Sequence, residues 1–299
     1  MSVPARIGAF VAMLAVVFGL AWVVGTKVGP VGEPAAAHSE AHESGHGHVT
    51  AAGGTAQVPG GLMVSENGYT LALADTEVQP GSERRVSFTI TGPDGKPVTA
   101  YDEEHGMDLH LVVVRRDLSG FQHVHPTLDP RGTWSAPVDL TPGAWRVFAD
   151  FKPTGGEAVT LGSDLAVPGT SSPSAETPVT RTSTVDGYTV TLTGDLVAGE
   201  HSMLTFSVSK DGRPVTDLQP YLGAYGHLVA LREGDLAYLH VHPGGEPGDG
   251  RTSPGPDIGF GAEVPSGGRY HLYLDFEHGG VVRTAQFSLD ATGAKAGTP

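Results

Sequence analysis

The sequence predicts an all-β protein: two tandem immunoglobulin-like β-sandwich domains after one N-terminal transmembrane helix. Three observations predict it. A single long apolar run, Ile7–Gly25, stands at the start of the chain. Beyond it the apolar residues come in short runs between Gly, Pro and Asp, with 43 glycines and 23 prolines in 299 residues, a pattern of strands and turns. Most of the short runs occur twice, at a fixed spacing.

The first element is the anchor, residues 1–26. Ile7–Gly25 holds 19 residues without a charge, between Arg6 and Lys27. A bilayer core takes about 20 apolar residues as a helix, whereas the apolar part of a cleaved signal is usually about 7–15. The expectation is a signal anchor with its N-terminus inside, in a single-pass protein of the cell membrane. A cleaved signal would equally put the bulk of the chain outside the cytoplasm. Residues 27–60 form a His-rich flexible tether carrying His38, His42, His46 and His48. "HESGH" at 42–46 formally matches the zinc-protease H-E-x-x-H pattern. That chemistry needs a buried helix, and Gly45 and Gly47 interrupt a polar stretch, so no protease site is expected.

The repeat comes next. "NGYTLALA" (67–74) is matched by "DGYTVTLT" (186–193), "DGKPVT" (94–99) by "DGRPVT" (211–216), and "HLVVVR" (110–115) by "HLVALR" (227–232). "HVHP" at 123–126 recurs unchanged at 240–243, and "RVFADF" (146–151) is matched by "HLYLDF" (271–276). His227, His240 and His242 each follow His110, His123 and His125 by 117 positions. This places a first sandwich at 61–167, a Pro/Ser/Thr-rich linker at 168–180, a second sandwich at 181–291 and a disordered tail at 292–299. Each copy reads as about seven short strands, which suggests the immunoglobulin-like architecture; the Cys and Trp hallmarks of antibody domains are absent, so the expectation is of architecture only.

Composition excludes several functions. The net charge is −15, against the basic face that nucleic acid requires. There is no cysteine, hence no disulfide, no thiolate ligand, no blue-copper centre and no nucleophilic thiol. No general base, substrate pocket or cofactor motif is recognisable, so no enzyme is expected.

The histidines remain to be explained. Alternate residues of a strand share a face, so His123 lies with His125 and His240 with His242. A two-residue turn at Gly234-Asp235 would set Glu233 opposite Leu236 and His227 opposite His242. In the first copy a four-residue loop, Arg116–Ser119, would set His110 opposite His125; a three-residue loop with a bulge at Gly120 would disturb this. Pro126 and Pro243 end the strands just beyond. One histidine triplet per copy is the expectation. Asp150 and Asp275 interrupt apolar strands, and a carboxylate there must be paired or coordinate something: a fourth ligand, or a partner that fixes an imidazole tautomer. Met107 and Asp108 make the first copy richer in donors, while Tyr225 stands in place of Asp108 in the second. His201, His271 and His278 lack counterparts and fit surface or supporting positions, and His105 fits either reading.

At "MDLHLVVVRRDLSGFQHVHP" the sequence resembles secreted or membrane-anchored bacterial β-sandwich proteins associated with copper or other heavy metals. The preceding "GPDGKPVTAYDEEHGM" is similar to part of YtkA-like domains. The resemblance covers about half the chain, its most specific element being H-x12-H-x-H-P in both copies, and it implies metal handling. Histidine-rich sites bind copper(II) most strongly by the Irving–Williams order, with zinc as the alternative. The sequence is therefore read as a membrane-tethered protein that binds a transition metal outside the cytoplasm. It would hand the ion to a membrane transporter or oxidase. The competing reading is a surface interaction module of tandem immunoglobulin-like domains without metal.

Overall fold

The computed structural model describes residues 58–172, 178–239 and 241–293. The expected anchor, nearly all of the tether, residues 173–177 of the linker, His240 and residues 294–299 lie outside them. The described residues contain strands and no helix, so none is long and apolar enough to cross a membrane. The chain divides into a unit Met1–Thr55, outside the described residues, and a unit Ala56–Pro299 holding both repeats.

Repeat 1 contains β1 (Ser65–Glu66), β2 (Tyr69–Leu73), β3 (Gly81–Thr91), β4 (Tyr101–Asp102) and β5 (Leu109–Arg115). It continues with β6 (Gln122–Val124), β7 (Thr127–Leu128), β8 (Thr133–Leu140), β9 (Gly143–Pro153) and β10 (Val159–Val167). Seven of these exceed two residues, the number the sequence suggests. Repeat 2 contains β11 (Thr182–Val185), β12 (Tyr188–Thr193), β13 (His201–Lys210), β14 (Arg213–Pro214) and β15 (His227–Arg232). Then come β16 (Tyr238–Leu239), β17 (Val241–Pro243), β18 (Asp257–Glu263), β19 (Gly268–His278) and β20 (Val281–Ala291).

In repeat 1 the sheet β1-β2-β3-β8-β7 faces the sheet β10-β9-β5-β6. Repeat 2 repeats this with β11-β12-β13-β18-β17 and β16-β15-β19-β20. The strand orders of the two facing sheets are those of an immunoglobulin-like sandwich. Parity explains the cores. Leu109, Leu111 and Val113 of β5 face inward with Trp145, Val147, Ala149 and Phe151 of β9, against Phe88, Ile90 and Trp134 of the other sheet. Leu228 and Ala230 of β15 do the same with Tyr270, Leu272, Leu274 and Phe276 of β19.

The other face of β5 is also buried, because the two β5-type sheets pack against each other. Val112, Val114, Leu118 and Phe148 of repeat 1 form one apolar cluster with Val229, Leu231, Leu236, Tyr238 and Tyr273 of repeat 2. The contacts are reciprocal. Phe121 stacks on Tyr273, with ring centroids 3.8 Å apart and planes within 5°. Its counterpart Tyr238 lies on Phe148, the counterpart of Tyr273, at 5.6 Å. Such an exchange is what an isologous interface requires, here between two halves of one chain. Tyr273 also donates its hydroxyl hydrogen to the Leu118 carbonyl at 2.7 Å.

The strap before β1 joins the halves a second time. Gly61 N–H donates to Thr160, Gly162 N–H to Met63, and Tyr238 N–H of repeat 2 to Gly60. A Cβ on Gly162 would lie 2.0 Å from the Gly61 carbonyl, so only glycine allows this approach.

Two expected turns differ. The second hairpin does not close on Gly234-Asp235. Arg232 N–H bonds to Ala237, and Leu236 takes φ 62°, so the connection is Glu233–Leu236. Asp235 holds it by accepting from Ala237 N–H and pairing with Arg232. In the first hairpin Arg115 N–H donates to Ser119, a three-residue connection, and one extra residue at Gly120 (φ 65°) follows. That extra residue restores the register rather than spoiling it, as Leu111↔Val124 and Val113↔Gln122 show.

Candidate metal centre

The outward faces of β5, β9, β15 and β19 are apolar at the middle of the interface and polar at one end. His110 shares its face with Val112 and Val114, and His227 with Val229 and Leu231. In register, His110 opposes Asp150 and His227 opposes Asp275. The equivalent rings of His110 and His227 stack on each other, 5.1 Å apart and 12° from parallel. The two repeats therefore meet at their own equivalent histidines, and among the described residues His227 of the second repeat joins the cluster of the first.

His110, His123 and His125 each offer a ligand atom, and the three atoms lie within 4.8 Å of one another. Hydrogen bonding fixes which nitrogens are free to act. His110 Nε2 is 2.9 Å from the Glu104 carbonyl, which can only accept, so Nε2 carries the hydrogen. His123 Nδ1 is 2.8 Å from Asp275 Oδ2 and donates to it across the interface. The neutral rings then present lone pairs on His110 Nδ1 and His123 Nε2, which face each other at 3.1 Å. Two lone pairs at that distance repel each other, and a cation between them would relieve this. Two nitrogens at 2.0–2.1 Å from a tetrahedral ion are about 3.3 Å apart. His125 Nε2 is buried and has no hydrogen-bonding partner.

The surroundings hold His110, His125 and His227 neutral. Burial pushes His110 down to about 4, more than the bond to Glu104 raises it. Burial, then the neighbouring His123 and His110, pushes His125 down to about 4. His227 is held well below the usual histidine range by burial and by the four histidines around it. Asp275 is buried and also accepts from the Thr284 hydroxyl at 2.6 Å. Its counterpart Asp150 accepts from Thr160 at 2.8 Å. Tyr221 covers His125 at 6.3 Å between rings. Its hydroxyl is pushed up to about 12 by burial and by the charges of Asp275 and Glu277.

The other residues singled out from sequence are placed as follows. Met107 is half-buried and pairs through its backbone with Glu104. Asp108 is exposed. Its charge acts on Tyr101, whose hydroxyl is pushed up to about 12 chiefly by burial. The expected pairing of His227 with His242 is not made. The hairpin register points to it, but pairing stops at Ala230↔Leu239, and β17 crosses to the other sheet, where His242 opposes Gly261 and is exposed. The same crossing comes later in repeat 1, between Val124 and Thr127, and that leaves His125 beside His110 and His123. His240 lies outside the described residues. His271 pairs with Glu233, and His278 with Tyr188 and Asp217. Glu104 and Tyr221 carry no signal in the sequence; both matter through position, one by its carbonyl and one by its ring.

A family described as a domain of unknown function (DUF8832) matches residues 64–169 and again 183–293. The chain belongs to this family. Its two DUF8832 domains are tandem copies. No functionally curated protein matches. Solved structures with similarity include the Escherichia coli adhesin FdeC, at 16% identity over 77% of this chain and 65% of that one, with a TM-score of 0.23. The Yersinia pseudotuberculosis adhesin InvE shows 12% identity over 74% of this chain and 58% of that one, with a TM-score of 0.21. InvD of the same organism shows 14% over 79% and 62%, with a TM-score of 0.25. The chain thus spans less than two thirds of the length of each.

Proposed function

We propose that the tandem DUF8832 domains bind one transition-metal ion at the histidine cluster between them, as a carrier tethered to the membrane outside the cytoplasm. One observation carries the reading: His110 Nδ1 and His123 Nε2 converge at 3.1 Å with their other nitrogens committed to Glu104 and Asp275. His125 Nε2, buried without a partner, supplies the third donor. A neutral three-imidazole set suits copper(II) first and zinc second. The carboxylate of Asp275 fixes the His123 tautomer and ring orientation, as is usual for ligating histidines. Handover to a membrane transporter or oxidase fits a tethered carrier, and the His-rich tether would collect ions nearby.

The test uses the chain with His38, His42, His46 and His48 changed to Ser, so that the tether contributes no donors. Titration with copper(II) and with zinc should give one tight equivalent. His110→Ala, His123→Ala and His125→Ala should each weaken it, while His242→Ala should not. Absence of a tight equivalent in the parent chain would end the metal reading and leave the surface interaction module in its place.

A further inference from the structure

His105 lies outside the triad and has a place of its own. Glu104 and Met107 exchange both backbone hydrogen bonds, at 3.0 and 3.1 Å, around a two-residue turn. His105 and Gly106 take φ 52° and 76° there, the hairpin geometry with two positive φ values. The equivalent turn in repeat 2, Tyr221–Ala224, has the same bonds and nearly the same angles, with Leu222 at 54° and Gly223 at 76°. The turn therefore does not need a histidine. Yet the His105 ring stands 5.6 Å from His227 and 6.1 Å from His110. It is half-buried and leads to the cluster. With His227, Leu222, Ala224, Val241 and Pro243 it lines a cavity of about 10 Å³. A space of that size holds one water-sized occupant.

We propose that His105 and His227 form an outer ion position that receives the metal from solvent and passes it to the triad. The proposal rests on the reading of the triad as a metal site. His227 is the hinge of the path, since its ring also lies 4.7 Å from that of His123. An aquated ion first exchanges water for His105 and His227. It then exchanges His105 for His110 or His123, keeping imidazole nitrogen bound throughout. No electron moves, and neutral rings release no proton in the exchange.

The test compares the full chain, its tether histidines replaced by Ser, with His105→Leu and His105→Asn. Leucine is the residue of the equivalent turn, and asparagine tolerates positive φ, so both should fold. Equilibrium affinity for copper(II) and the stopped-flow rates of loading and of extraction by a chelator are measured. The expected result is affinity within about threefold and both rates slowed by about an order of magnitude in both variants, since the ligand lost is transient. Unchanged rates in both variants would overturn the proposal. So would an affinity loss as large as that of His110→Ala, which would make His105 a permanent ligand. A parent chain that binds no ion would instead overturn the reading of the triad.

Discussion

Replacing Asp275 by Asn tests how the two repeats cooperate. Asp275 belongs to repeat 2, is 3% exposed, and accepts from Thr284 at 2.6 Å and from His123 of repeat 1 at 2.8 Å. Asparagine fits the same space. Its carbonyl can still accept from His123 Nδ1 while its amide donates to the Thr284 oxygen, whose own hydrogen must then turn to another acceptor. What disappears is the charge in two charge-assisted bonds. These are worth about 1.5–3 kcal/mol each against about 0.5–1.5 for neutral ones, so stability should fall by about 1–3 kcal/mol. Metal affinity should fall about 10–100-fold, because His123 loses the carboxylate that fixes its tautomer and orientation. Asp275→Ala would cost more, since His123 Nδ1–H is then buried without an acceptor. Asp150→Asn is the control: its carboxylate holds Thr160 in its own repeat, so affinity should drop less. Denaturant unfolding and competition titration with a chelator measure both quantities. Unaltered affinity in Asp275→Asn beside the expected stability loss would refute the reasoning and leave Asp275 as a purely structural bond.

Three further outcomes are expected. Phe121→Ala removes the ring stacked at 3.8 Å on Tyr273 and should cost about 2–3 kcal/mol, somewhat below a fully buried Phe; equilibrium unfolding should broaden or split as the repeats uncouple. Gly162→Ala would push a Cβ to 2.0 Å from the Gly61 carbonyl, so the strap should detach, and limited proteolysis should cut residues 58–63 that resist it in the parent. In the metal-free chain His110 titrates near 4 when folded against an ordinary 6.5, so between these values the unfolded chain binds more protons. Its contribution is full above pH 6.5 and is lost as the pH falls toward 4, about 3 kcal/mol in all, and His125 acts in the same direction. Urea unfolding across this range should show stability rising with pH; a flat profile would mean that the rings are not held neutral.

Much of the fold could be read from residues alone. Alternation in "RVFADF" and the Gly/Pro punctuation mark the strands, and turn chemistry with parity gives the register Leu111↔Val124 that carries His123 and His125 toward His110. The interface was only half legible. "HLVVVR" lacks polar alternation, which signals burial on both faces, but not what covers the second face. Val112 and Val114 meet Val229 and Leu231 there. The reach of Asp275 to His123, 152 positions away, leaves no local pattern at all. The fate of His242 was invisible for another reason. Val124 of the first "HVHP" precedes the strand crossing while Val241–Pro243 of the second already follow it, and the position of that crossing depends on pairing with β18, not on the motif.

The most direct measurement is a crystal structure of the copper- or zinc-loaded chain with the anomalous signal of the ion. One peak about 2.0–2.1 Å from His110 Nδ1, His123 Nε2 and a nitrogen of His125 is the predicted result. Two peaks, one within each repeat, or none between the facing sheets, would contradict a single shared centre.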